Sequence, residues 1–80
     1  MRSATGDSAG AIEDYTRVIE LAPTFADAYG NRGFLHHRAV RLDAAIADYR
    51  KALEVAPPDW PYREKIGQLL KVAEDAGRGK

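Results

Sequence analysis

One stretch of the chain occurs twice. Residues 11–23 read AIEDYTRVIELAP and residues 45–57 read AIADYRKALEVAP. Ala11, Ile12, Asp14, Tyr15, Glu20, Ala22 and Pro23 return as Ala45, Ile46, Asp48, Tyr49, Glu54, Ala56 and Pro57, each 34 positions later. Seven identities in 13 aligned positions far exceed the roughly one that random pairing of ordinary composition gives. A period of this size marks a stacked array of one supersecondary unit, because a single unit cannot bury its apolar face alone. The expected type of function is binding through a curved helical surface.

Eighty residues make one small domain, 1–80. A chain this short buries a limited share of its surface, so packing must be efficient or another chain must complete the core. Alanine supplies many of the apolar residues, as close helix–helix packing requires. There is no cysteine, which excludes disulfides and thiolate metal sites. No apolar run approaches the ~20 residues of a membrane span, and the opening MRSATGDSAG lacks the apolar core of a secretory signal. The expectation is a cytoplasmic protein by default, without a membrane partner. Zero net charge argues against nucleic acid or acidic lipid as the main partner. The charges are nonetheless segregated. Asp7, Glu13, Asp14, Glu20 and Asp27 face Arg17 alone, whereas Arg32, Arg38, Arg41, Arg50 and Lys51 outnumber Asp43 and Asp48. Either neighbouring helices complement one another, or the two halves attract each other between chains.

Taken in order, residues 1–6 are small and polar and are expected to be loose, with Asp7 or Ser8 capping the first helix. Ala11, Tyr15, Val18, Ile19 and Ala22 form one helical stripe. Pro23 ends that helix, because it pushes Ala22 out of the helical region. Thr24 with Asp27 resembles a capping box, predicting a second helix from about Phe25 to about Ala39. Gly30 and Gly33 lie in its interior, each costing about 1 kcal/mol relative to Ala. Gly33 is expected to face the partner helix and Gly30 the open side. His36, His37, Arg38 and Arg41 complement the negative helix end. Adjacent histidines point about 100° apart, so no metal is expected there. The third helix, 42–56, repeats the stripe with Ala45, Tyr49, Ala52, Leu53 and Ala56 and stops at Pro57 and Pro58. Asp59 is placed to cap a fourth helix with Pro61 in its first turn, a stripe of Tyr62, Ile66, Leu69, Leu70 and Ala73, and an end at Gly77. Connections of two to four residues make successive helices antiparallel neighbours. The fold class is all-α.

Tyr29, Gly33, Ala45, Tyr49, Ala52 and Pro57 resemble the signature of the tetratricopeptide repeat, a helix–turn–helix of 34 residues. The resemblance implies one full repeat over 26–59. Residues 7–22 then look like the second helix of a partial repeat, and 60–76 like a capping helix or the first helix of a following repeat. The pattern departs from the family where His36 replaces the second signature aromatic and Val40 the turn glycine. Arg63 stands where the next repeat would carry its first aromatic, with Trp60 nearby to compensate.

What the resemblance implies is a protein–protein interaction module, an α-solenoid fragment holding a peptide or partner helix in a groove lined by first helices. The groove residues would be Asp27, Gly30, Asn31, Phe34 and His37, continued 34 positions later by Glu64, Lys65 and Gln68. Arg32 and Asp48 should form a structural ion pair across the helix pair. No nucleophile stands beside a base or metal at local spacing, so neither an enzyme nor a cofactor is expected. The second expectation is a homo-oligomer. The first helix lacks the partner that would pack on Ala11, Tyr15 and Val18, and Val40 in place of a turn glycine eases straightening into a domain-swapped form.

Overall fold

Three short connections divide residues 4–78, those that the computed structural model describes, into four helices. They are α1 (Ala4–Leu21), α2 (Ala26–Arg38), α3 (Leu42–Val55) and α4 (Arg63–Arg78). Among the described residues there is no strand. Each helix packs on its neighbours in sequence, giving a flat stack with extents of 39 × 36 × 18 Å.

Alanine at the contact points lets the helices approach. Ala26, Ala45, Ala52, Ala56 and Ala73 are buried together with Tyr29, Tyr49, Trp60 and Ile66. Tyr49 is the largest side chain with essentially no exposure. Opposite it, Gly33 presents bare backbone: a Cβ built there would lie 2.9 Å from Cδ1 and Cε1 of Tyr49, closer than atoms of real side chains come. Gly33 thus faces the partner helix as expected. Arg32 and Asp48 form the expected ion pair across the same interface, with Nε and Nη2 of the arginine each donating at 2.8 Å. The arginine also donates from Nη1 to Thr16 Oγ1 at 3.1 Å, which ties α1 to the pair.

The helix limits differ from the sequence expectation in four places. α1 begins at Ala4, so Asp7 and Ser8 lie inside the helix rather than capping it. Residues 4–10 hold no proline, and helix extension from an established segment is cheap compared with nucleation. Residues 1–3, part of the expected loose segment, lie outside the described residues. At α2 the capping box does not form: Phe25 occupies the cap position without a side-chain bond. The Asp27 carboxylate instead accepts a hydrogen bond from Trp60 Nε1 at 2.6 Å. The start of α4 moves to Arg63, and Asp59 and Pro61 sit in turns. Trp60, 8 % exposed, is drawn into the core and holds its neighbours in two turns, closed by Trp60 N–H to Pro57 O and Arg63 N–H to Trp60 O, each 3.1 Å. Finally, α4 runs through Gly77 to Arg78; Gly79 and Lys80 lie outside the described residues.

α2 ends in a left-handed cap. Arg41 N–H bonds to His36 O at 2.9 Å and Val40 N–H to His37 O at 3.0 Å, the paired bonds of a Schellman motif. The left-handed residue is Val40, with φ 60°.

Candidate functional site

Helices α2 and α4 flank a concavity of about 270 Å³. Asp27, Gly30, Asn31 and Phe34 of α2 form one wall, and Lys65, Ile66 and Leu69 of α4 the other. Trp60 and Tyr62, from the connection before α4, close one end. Gly30 forms the floor, but not as an open position. A Cβ there would lie 3.1 Å from Ile66 Cδ1, so the glycine allows α4 to lean over α2. Gly30 is therefore buried rather than facing open space.

Three aromatic rings, Trp60, Tyr62 and Phe34, line this concavity. Trp60 is held by Asp27 and meets Tyr62 edge to face, with centroids 5.8 Å apart and planes at 75°. Phe34, 44 % exposed, carries the Arg38 guanidinium 6.0 Å from its ring centre. This contact adds modest electrostatic attraction and leaves the ring in the wall of the concavity. Tyr62 is 51 % exposed. The surface thus offers aromatic edges over an aliphatic floor, with the Asn31 amide and the Lys65 ammonium at its margin. Such a mixture suits a polypeptide that inserts an apolar side chain and leaves its backbone near polar groups.

Of the groove residues expected from the sequence, Asp27, Gly30, Asn31, Phe34 and Lys65 share this concavity, whereas His37, Glu64 and Gln68 are not part of its wall. His37 turns to α3, where Nδ1 lies 3.2 Å from Tyr49 Oη and the rings meet at 66°. It sits three positions beyond Phe34, which rotates it about 60° around α2. Glu64 and Gln68 are exposed on α4 on either side of Lys65. Sequence reasoning missed Trp60, Tyr62, Ile66 and Leu69 as wall residues. Ile66 and Leu69 carried a signal in their stripe, and two aromatics flanking Pro61 were the signal for the others.

The expected self-association residues are spread over two places. Ala11, Tyr15 and Val18 are half-buried along α1, and Val40 is 77 % exposed in the turn after α2.

The displaced titrations lie at the α2–α3 contact, outside the concavity. Burial, with a smaller push from Asp48, raises the Tyr49 phenol to about 12. The hydrogen bond that it donates to Asp48 raises the Arg32 guanidinium against the opposing effect of burial. Burial lowers His36, with Asp48 opposing and Arg32 and Arg41 adding to the fall. This is the electrostatics of a structural pair in a tight interface. Among the described residues no group of three or more His, Asp or Glu could hold a metal ion. No described helix is long and apolar enough to cross a membrane.

Residues 26–59 match the family model described as tetratricopeptide repeat, and residues 3–39 the one described as TPR repeat. The chain is similar to DnaJ homolog subfamily C member 3 of Bos taurus, 38% identical over 71 residues, which covers 89% of this chain and 14% of that protein. It is similar to RNA polymerase II-associated protein 3 of Mus musculus, 33% identical over 72 residues, 86% of this chain and 11% of that protein. A third relative is the UDP-N-acetylglucosamine–peptide N-acetylglucosaminyltransferase of Giardia intestinalis, 40% identical over 47 residues, 59% of this chain and 3% of that protein. The chain therefore spans a small part of the length of the relatives it matches. No solved structure matches.

Proposed function

Because the chain belongs to the tetratricopeptide repeat family, whose repeats generally mediate protein–protein interaction, we propose that it holds a peptide or partner helix between α2 and α4. In this reading 26–59 is one full repeat, 7–22 the second helix of a partial repeat before it, and 60–76 a partial repeat or cap after it. The observation that carries the proposal is Phe34, a large apolar ring left 44 % exposed in a concavity that also holds Trp60, Tyr62 and Lys65. An inserted apolar side chain would rest on Gly30 and Ile66 between Phe34 and Tyr62. Asn31 would bond the backbone of the same peptide, and Lys65 would favour an acidic residue beside it. Repeats of this family are generally non-catalytic, and we assign no reaction to the chain.

The test is a peptide library screened against the purified chain, followed by titration of the best binder. Phe34→Ala should weaken that binder at least tenfold while the helical circular dichroism stays unchanged. Equal binding by the folded variant would overturn the assignment. A second reading, a homo-oligomer, is favoured by the half-buried Ala11, Tyr15 and Val18 on α1.

A further inference from the structure

α3 shows what α1 and α4 each lack. Ala45, Asp48, Tyr49 and Ala52 of α3, and Ala56 just after it, are all buried. Thirty-four positions earlier stand Ala11, Asp14, Tyr15 and Val18 of α1 and Ala22 just after it, of which Asp14 and Ala22 are exposed and the rest half-buried. On α2 the notch that receives α3 is Gly33, whose built Cβ would meet the Tyr49 ring at 2.9 Å and Asp48 Cβ at 3.1 Å. Thirty-four positions later α4 carries Gly67, where a built Cβ meets nothing within 4 Å. The chain thus holds one filled notch, Gly33 under Tyr49, one open notch, Gly67, and one ring with room to spare, Tyr15.

We propose that a second copy of this chain docks its α1 on α4, with Tyr15 seated over Gly67 as Tyr49 is seated over Gly33. The proposal rests on the homo-oligomer reading and gives it a geometry. Seven identities in 13 positions make α1 a near copy of the helix that already fills the equivalent site. α1 need not leave its own fold to do this, because Thr16 and Ile19 keep it on the core while Tyr15 stays only half-buried beside them. The charges agree. Asp14 takes the place of Asp48 and meets a helix whose charges one turn from Gly67 are Arg63, Glu64 and Lys71, net positive, with Ile66 at the register of Arg32. The Arg63 Nε is buried without a hydrogen-bond partner, while its Nη2 holds the Ala56 and Pro57 carbonyls at 2.9 and 3.1 Å. The two surfaces differ, so the contact is heterologous and copies add head to tail rather than closing as a two-fold dimer.

Sedimentation velocity over a concentration series, from low micromolar to millimolar, tests this with two variants. Gly67→Arg fills the open notch and Asp14→Arg reverses an exposed charge, and both positions tolerate the change within one copy. Each variant alone should stay monomeric with unchanged helicity, its association weakened at least tenfold, while the wild-type mass climbs beyond a dimer. An equimolar mixture should regain association and stop at a dimer, because each copy supplies the surface the other has lost. A wild-type chain that stays monomeric at millimolar concentration overturns both the docking and the homo-oligomer reading. Association that survives Gly67→Arg, or a mixture that remains monomeric, overturns the head-to-tail contact alone.

Discussion

Arg32 grips Asp48 with both ends of its fork, Nε to Oδ2 and Nη2 to Oδ1, each at 2.8 Å. The Asp48 side chain is 8 % exposed and that of Arg32 21 %, so the pair is mostly withdrawn from water. Removing one partner of such a pair leaves the other charge desolvated, which costs far more than the intact pair contributes. Arg32→Ala should therefore destabilise the fold by about 2–3 kcal/mol, and it also releases the Thr16 bond to α1. Arg32→Lys keeps the charge but not the planar fork, and should lose roughly half as much. Urea unfolding of the three proteins, at a concentration where the chain is monomeric, measures both differences.

Gly33 and Gly67 occupy the same register, yet substitution should move stability in opposite directions. Alanine gains about 1 kcal/mol over glycine in a helix interior. At Gly33 the new methyl would lie 2.9 Å from the ring of fully buried Tyr49, and overpacking costs typically 1–3 kcal/mol. The net should be a loss of up to about 2 kcal/mol, toward the upper end because the contact is with a fully buried ring. At Gly67 nothing lies within 4 Å, so the helical gain stands alone at about 1 kcal/mol. Thermal unfolding of the two alanine variants in dilute solution should show one melting temperature below the wild type and one above.

The stripes of α1 and α3 were legible because they are written twice, and Arg32 with Asp48 because repeat geometry puts them opposite. The edges were less legible, for a tertiary reason. Trp60 lies in a segment whose local signals, Asp59 and Pro61, favour a helix start, but burying the indole on Asp27 holds the segment in turns until Arg63. The same event hides half of the candidate site. Adding 34 to Gly30, Asn31 and Phe34 points to Glu64, Lys65 and Gln68, of which Lys65 alone reaches the concavity. The remaining wall comes from the connection and from the inner stripe of α4. No single-helix periodicity shows that Trp60 and Tyr62 fold back beside α2.

Val40 stands in a conformation that β-branched residues avoid, with φ 60°, because Cβ and its branches crowd the neighbouring carbonyl. The two bonds of the cap and the packing of α2 on α3 hold it there. Val40 is 77 % exposed, so little burial is lost when its side chain is removed. Val40→Gly should therefore stabilise the monomer by about 1 kcal/mol, the relieved strain outweighing the extra backbone freedom of the unfolded glycine. It should also slow any conversion to a form in which α2 and α3 join as one helix. Urea unfolding checks the first effect, and the mass distribution after refolding at high concentration the second.

His36 should make the fold sensitive to mild acid. Its Nδ1 is buried without a hydrogen-bond partner, and its Nε2 lies 3.8 Å from Asp48 Oδ2. Burial lowers its pKa below the usual 6.5, Arg32 and Arg41 lower it further, and Asp48 only partly opposes them. The unfolded chain consequently takes up the proton more readily than the folded one. Stability from this residue is complete above about 6.5 and is lost as pH falls from there toward the native value. One proton sets a ceiling of about 1.4 kcal/mol per pH unit. The urea midpoint should drop between pH 7.5 and 5.5, above the range where most carboxylates titrate. His36→Phe, which places an uncharged ring in the same position, should flatten that drop while leaving Arg32 and Asp48 paired. An equal drop in the variant would assign the acid sensitivity to another group.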